Sequence, residues 1–178
     1  MTSFWAEHVW LPSGLARGVR LVVDDGRFIV VEPRAARHPE DVKLRGVVFP
    51  GLANAHSHVF QRALRGRTQS DADNGIAWRA RMYDLADRLN PDLYLALARA
   101  TFAEMALAGI TVVGEYHYLH HGPGGTRYAD PNAMGAALAK AALEVGIRLT
   151  ILDTLYLRGG LTSEGHLTVS DVQQRFSD

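Results

Sequence analysis

Gly109-Ile110-Thr111-Val112-Val113-Gly114-Glu115-Tyr116-His117-Tyr118 decides the fold, because it has a second copy in Gly146-Ile147-Arg148-Leu149-Thr150-Ile151-Leu152-Asp153. Each stretch follows a helical pattern. Before the first, Asn90-Pro91-Asp92 supplies a cap, a proline for the first turn and an acid beside it, and Tyr94, Leu97, Thr101, Met105 and Ala108 repeat at helical spacing. Before the second, Asp130-Pro131-Asn132 plays the same part, and Met134, Leu138, Ala141, Ala142 and Val145 form the stripe. A glycine stops each helix, and a short apolar strand then runs into a polar tip. Two such helix–glycine–strand units predict parallel strands with helices packed outside them, an α/β fold.

Upstream the pattern changes. Val19–Val23 and Phe28–Val31 flank Asp24-Asp25-Gly26-Arg27 and read as a hairpin, with a further strand around Ala6–Leu11. Glu32–Lys43 reads as an exposed connection. A short strand over Gly46–Phe49 then enters the bend Pro50-Gly51 and the polar cluster Asn54-Ala55-His56-Ser57-His58. Thr68–Gly75 reads as a loop and Trp78–Leu89 as a helix, while beyond Gly160 no closing element is expected. The boundaries so drawn are residues 1–46 for the N-terminal strands and 47–178 for the β/α part.

Composition narrows the chemistry. The 178 residues carry 19 basic and 19 acidic side chains, so no net charge recruits nucleic acid or an anionic membrane. No apolar run reaches the length of a bilayer span, and no secretory leader is read at the start, so a cytoplasmic protein is expected. With no cysteine, any metal must be held by histidine and carboxylates. Five of the eight histidines sit at the first two strand tips, where parallel α/β folds collect their chemistry: His56, His58, His117, His120 and His121. Alternate residues of an extended chain point the same way, so His56 and His58 can face one point, as a zinc ion requires.

Pro50-Gly51-Leu52-Ala53-Asn54-Ala55-His56-Ser57-His58 resembles the first-strand motif of the amidohydrolase superfamily. The continuation Val59-Phe60-Gln61-Arg62-Ala63, together with Trp78–Tyr83 and Gly114–His121, is similar to the formimidoylglutamate deiminases of histidine degradation. The resemblance implies the N-terminal part of a metal-dependent (β/α)8 barrel, about three β/α units, preceded by a small β-sandwich segment. It implies zinc-dependent hydrolysis of N-formimidoyl-L-glutamate to N-formyl-L-glutamate and ammonia. His56 and His58 match the first two zinc ligands, and Gln61, Arg79 and Tyr118 match residues that hold the glutamate part of the substrate. A dicarboxylate suits an arginine fork; without the motif Arg79 reads as a solvated helix-face residue, and Tyr118 reads equally as a site residue or a packed loop tyrosine. The family pattern does not use His117, His120 or His121 as zinc ligands, so they are expected to shape the pocket. Glu115 reads as a buried acid, and Asn54 and Ser57 as supports for the histidine pair.

A whole barrel needs about 250 residues. The family's remaining zinc ligands and its catalytic residues are therefore expected downstream of Asp178, leaving one zinc ion incompletely coordinated by this chain. Such a segment is expected to be inactive alone and to expose apolar edges through which it could form a homo-oligomer. Two other readings stay open: a nucleobase-type deaminase of the same superfamily, and a non-catalytic metal-binding or interaction module.

Overall fold

The computed structural model describes residues 1–68 and 75–177. Most of the loop expected over Thr68–Gly75 lies outside the described residues, as does Asp178. The chain divides into two units, Met1–Gly51 and Leu52–Asp178.

In the first unit β1 (Thr2–Leu11), β2 (Gly14–Asp24), β3 (Arg27–Glu32) and β4 (Val42–Val48) form one sheet in the order β3-β2-β1-β4. Asp25 and Gly26 turn the β2–β3 hairpin, both with positive φ (46° and 69°), as a two-residue turn matched to strand twist requires. Strand β4 pairs with β1 in parallel. The strand expected over Gly46–Phe49 therefore starts earlier and belongs to this sheet, and the His-bearing segment forms a strand of its own after the Pro50-Gly51 bend. Charged Lys43 and Arg45 hid that start by interrupting the apolar run. Ala6, Val9, Val19 and Leu21 form the small core. Beside it Arg20 Nε donates to both carboxylate oxygens of the buried Asp41 at 3.1 Å.

The second unit contains β5 (Leu52–Ser57), a 3-10 turn (Val59–Leu64), α1 (Gly75–Arg88), α2 (Pro91–Leu107), β6 (Ile110–His117), α3 (Ala133–Val145) and β7 (Arg148–Asp153). Strands β5, β6 and β7 pair in parallel in that order, joined by helical crossovers. The Asn90 side chain accepts the Leu93 N–H at 2.9 Å and caps α2, and Gly146 closes α3 with φ 81°. The buried face of α2 is Tyr94, Ala98, Thr101 and Phe102, while Leu97 and Met105 pack at its margin. Helix α3 buries Met134, Ala137, Leu138, Ala141 and Ala142. These faces join Phe60, Met82, Val113, Leu119 and Phe176 in one core.

Two features depart from the sequence reading. Strand β6 continues past Val113 through Glu115, which is buried as expected, to His117, which is buried in spite of its polarity. The tail beyond Gly160 is not without structure: β8 (Gly160–Thr162) and β9 (Gly165–Leu167) pair, and a 3-10 turn, Asp171–Phe176, starts from a capping box between Ser170 and Gln173. That turn buries Arg175 and Phe176, and its backbone carbonyls accept N–H groups of His120 (2.8 Å) and Tyr156 (2.7 Å). Outside this anchorage, Leu107 is 90% and Leu143 83% exposed, and Leu52 and Leu152 are also open to solvent.

Candidate metal centre and substrate pocket

The chain reaches the site along β5. The Asn54 side-chain oxygen accepts the His56 N–H at 3.1 Å, fixing the backbone just before the pair. His56 lies in the strand, and His58 follows it with φ/ψ of −134°/83°, at the start of the 3-10 turn. Their rings meet edge to face with centroids 5.1 Å apart. Glu115, from the neighbouring strand, holds the far end: its Oε1 accepts the Val59 N–H at 2.6 Å, and its Oε2 is buried without a hydrogen-bond partner. The residue after His58 is thus tied to a buried acid, with Ser57, before it, as that acid's register partner on β5. Burial raises the Glu115 carboxyl above its ordinary value, and Ser57 and the Val59 N–H pull it back. Asn54 supports the pair through the backbone, and Ser57 stands beside Glu115. Replacing Glu115 with alanine strands the Val59 N–H, so we expect a loss of about 2–4 kcal/mol in unfolding free energy. Glutamine, which keeps an acceptor, is expected to lose less than half of that; equal losses by denaturant titration would refute the tether.

The His58 ring sits among tyrosines. Centroids of Tyr116 and Tyr118 lie 5.3 and 5.7 Å away. Gln61, on the turn after His58, donates from Nε2 to Tyr118 Oη at 2.5 Å. Burial pushes the Tyr118 phenol well above its ordinary value, with the Gln61 bond opposing. Tyr156, from the segment after β7, stacks on Tyr118 at 5.8 Å with the planes 8° apart. Arg79 lies exposed on α1, and its charge acts on the Tyr156 hydroxyl. The structure therefore brings His56, His58, Gln61 and Tyr118 into direct succession and leaves Arg79 outside it, exposed on α1. Tyr116 and Tyr156 were missed as site residues. The spacing Tyr116-x-Tyr118 was the available signal for the first, since alternate residues of an extended segment share a face; Tyr156 had none beyond its place after a strand.

The remaining histidines divide. His117 and His120 lie together, ring centroids 5.0 Å apart. His121 lines a different cavity of about 500 Å³ with Arg127, Tyr156 and Gln174.

Zinc chemistry fits the His56/His58 pair as far as the pair goes. Burial, then the neighbouring His56, lowers the His58 imidazole below its ordinary value, with a hydrogen bond to the Tyr116 backbone opposing. Its Nδ1 is buried without a hydrogen-bond partner, the state of a nitrogen available to a cation. Two imidazoles are half of a tetrahedral set. Among the described residues no third histidine or carboxylate gathers with them.

Residues 47–171 match the family model described as the amidohydrolase family. The chain belongs to the amidohydrolase family. Over 99% of its length it is 38% identical to formimidoylglutamate deiminase of Pseudomonas aeruginosa, and over 78% it is 27% identical to 8-oxoguanine deaminase of the same organism. A crystal structure of an amidohydrolase from Brucella melitensis superposes on the whole chain with a TM-score of 0.92 at 34% identity. The chain spans 39% and 33% of the two curated relatives and 40% of the crystallised chain. No helix among the described residues is long and apolar enough to cross a membrane.

Proposed function

We propose that this chain supplies the opening β/α units, the N-terminal strands and two zinc ligands of an enzyme that hydrolyses N-formimidoyl-L-glutamate to N-formyl-L-glutamate and ammonia. The observation that carries the reading is the succession His58–Tyr118–Gln61 in a chain 38% identical to a formimidoylglutamate deiminase. His56 and His58 hold the metal. When bound, zinc supplies the Lewis acid that makes water a nucleophile at neutral pH. Gln61 and Tyr118 offer donors that orient the substrate's glutamate part, and Arg79 offers a cationic fork for a carboxylate. The reaction consumes one water and releases one ammonia. The product keeps both carboxylates, so the groups that bind them act on substrate and product alike.

A nucleobase deaminase is the second reading, favoured by the likeness to 8-oxoguanine deaminase. Ammonia release by the native protein carrying this sequence separates the two. N-formimidoyl-L-glutamate is expected to be turned over and 8-oxoguanine not; the reverse preference would overturn the proposal. In the same assay Arg79→Met is expected to raise KM about 10–100-fold with a smaller change in kcat, the size of a lost charge-assisted hydrogen bond. An unchanged KM would remove Arg79 from the carboxylate site.

A further inference from the structure

His117 and Asp153 are register partners on the parallel strands β6 and β7, so their side chains leave the sheet together. His117 follows Tyr116 directly and therefore points to the face opposite the one that meets His58. His120, on the loop after β6, turns back to join them. One ligand atom from each of the three side chains lies within 4.8 Å of the others. The trio lines a cavity of about 300 Å³ together with Asn132 and Gly135.

The cluster does not satisfy itself by hydrogen bonding. His120 Nδ1 stands 3.8 Å from Asp153 Oδ1, beyond hydrogen-bond range. His117 is 2% exposed, and its Nδ1 is buried without a partner. Polar atoms left so call for an explanation. Burial pushes the His117 imidazole down to about 4, with His120 adding and Asp153 opposing, so the ring keeps its lone pair at neutral pH.

The surroundings hold the rings as a metal site does. His120 Nε2 lies 2.8 Å from the Thr154 carbonyl, which fixes the proton on that nitrogen and leaves Nδ1 as the donor atom. A metal-bound histidine characteristically gives its other N–H to a backbone carbonyl. The His120 main chain is fastened by its N–H to the Arg175 carbonyl, and Thr154 N–H bonds the His117 carbonyl at 2.9 Å. Tetrahedral zinc ligands at about 2.0–2.2 Å stand about 3.3–3.6 Å apart. The mostly exposed Asp153 is the member free to close that difference.

We propose that His117, His120 and Asp153 form a binding site for a divalent transition metal of the zinc type, joining the ends of β6 and β7 to the loop between His117 and His121. Two imidazoles and one carboxylate select such an ion over calcium or magnesium, which prefer all-oxygen shells. Three protein ligands leave one position for water.

The test uses Co²⁺ as the probe on the full chain carrying His56→Ala and His58→Ala, which removes the other histidine pair. This protein is expected to bind about one equivalent of Co²⁺ with the intense visible bands of a tetrahedral site. Adding Asp153→Asn, a mostly exposed substitution that leaves the core untouched, is expected to weaken binding at least about 100-fold and abolish the bands. His120→Ala is expected to do the same, with circular dichroism reporting that both variants are folded. No Co²⁺ uptake by the His56/His58 double variant would overturn the proposal. So would undiminished uptake after Asp153→Asn and His120→Ala. Neither result bears on turnover of formimidoylglutamate, so the two proposals fail independently.

Discussion

Replacing His58 with alanine is expected to remove one equivalent of bound zinc and to lower kcat/KM for deimination at least about 1,000-fold. The magnitude follows from the loss of a direct ligand, since loss of a ligand's outer partner already costs about 10–100-fold. The position makes the effect specific. His58 faces Tyr116 and Tyr118, and its buried Nδ1 has no hydrogen-bond partner, so the alanine costs ring packing and the single bond to the Tyr116 backbone. Stability should therefore fall far less than activity. The native protein with this substitution, assayed for metal content and ammonia release together, decides the matter. Full zinc content with intact turnover would remove His58 from the metal site, and an unfolded protein would contradict the packing argument. Asn54→Ala, which loosens the strand at His56, is expected to reproduce a weaker form of the same defect.

The second large effect concerns stability. Arg175→Ala is expected to destabilise the Leu52–Asp178 unit by about 3–4 kcal/mol, roughly 10 °C in thermal midpoint. The guanidinium is buried: Nε donates to the His121 carbonyl at 2.9 Å, a terminal nitrogen donates to the Leu89 carbonyl at 2.8 Å, and Asp87 stands 3.9 Å away. Alanine leaves both carbonyls buried without donors. Lysine is expected to rescue little, because one ammonium cannot span two carbonyls that the planar fork meets at once. Differential scanning calorimetry reads this directly, and a change below about 1 kcal/mol would show that water replaces the guanidinium.

How far the fold was legible depended on whether its cause was local. The caps and glycine stops of α2 and α3 act within a few residues, so both helices and the strands after them stand in the sequence. The hairpin turn at Asp25-Gly26 is equally local. Strand β6 was cut short at Val113 because its polar tip looks like a loop; the distant Val59 N–H that meets Glu115 in the strand is not visible in that segment. Arg175 and Phe176 were overlooked for the same reason, as one short turn inside a polar stretch whose partners lie as far as 86 residues back. The closeness of His56 to His58, and of Gln61 and Tyr118 to that pair, was legible because the motif holds these residues at fixed spacing. The grouping of His117 with His120 rather than with His121 was not, since it depends on how β7 registers against β6.

That register has a further consequence. Along β6 the buried acid and the tyrosine that meets His58 are consecutive residues, Glu115 and Tyr116, on opposite faces of one strand. Insertion or deletion of a single residue between Ile110 and Val113 would invert the parity of everything beyond it. The carboxylate would then be aimed at the histidines and the tyrosine driven under the helices. The stretch can therefore tolerate substitution among apolar residues but not a change of length. In a lineage of such proteins, gaps are expected in the loops on either side of β6 and not within it.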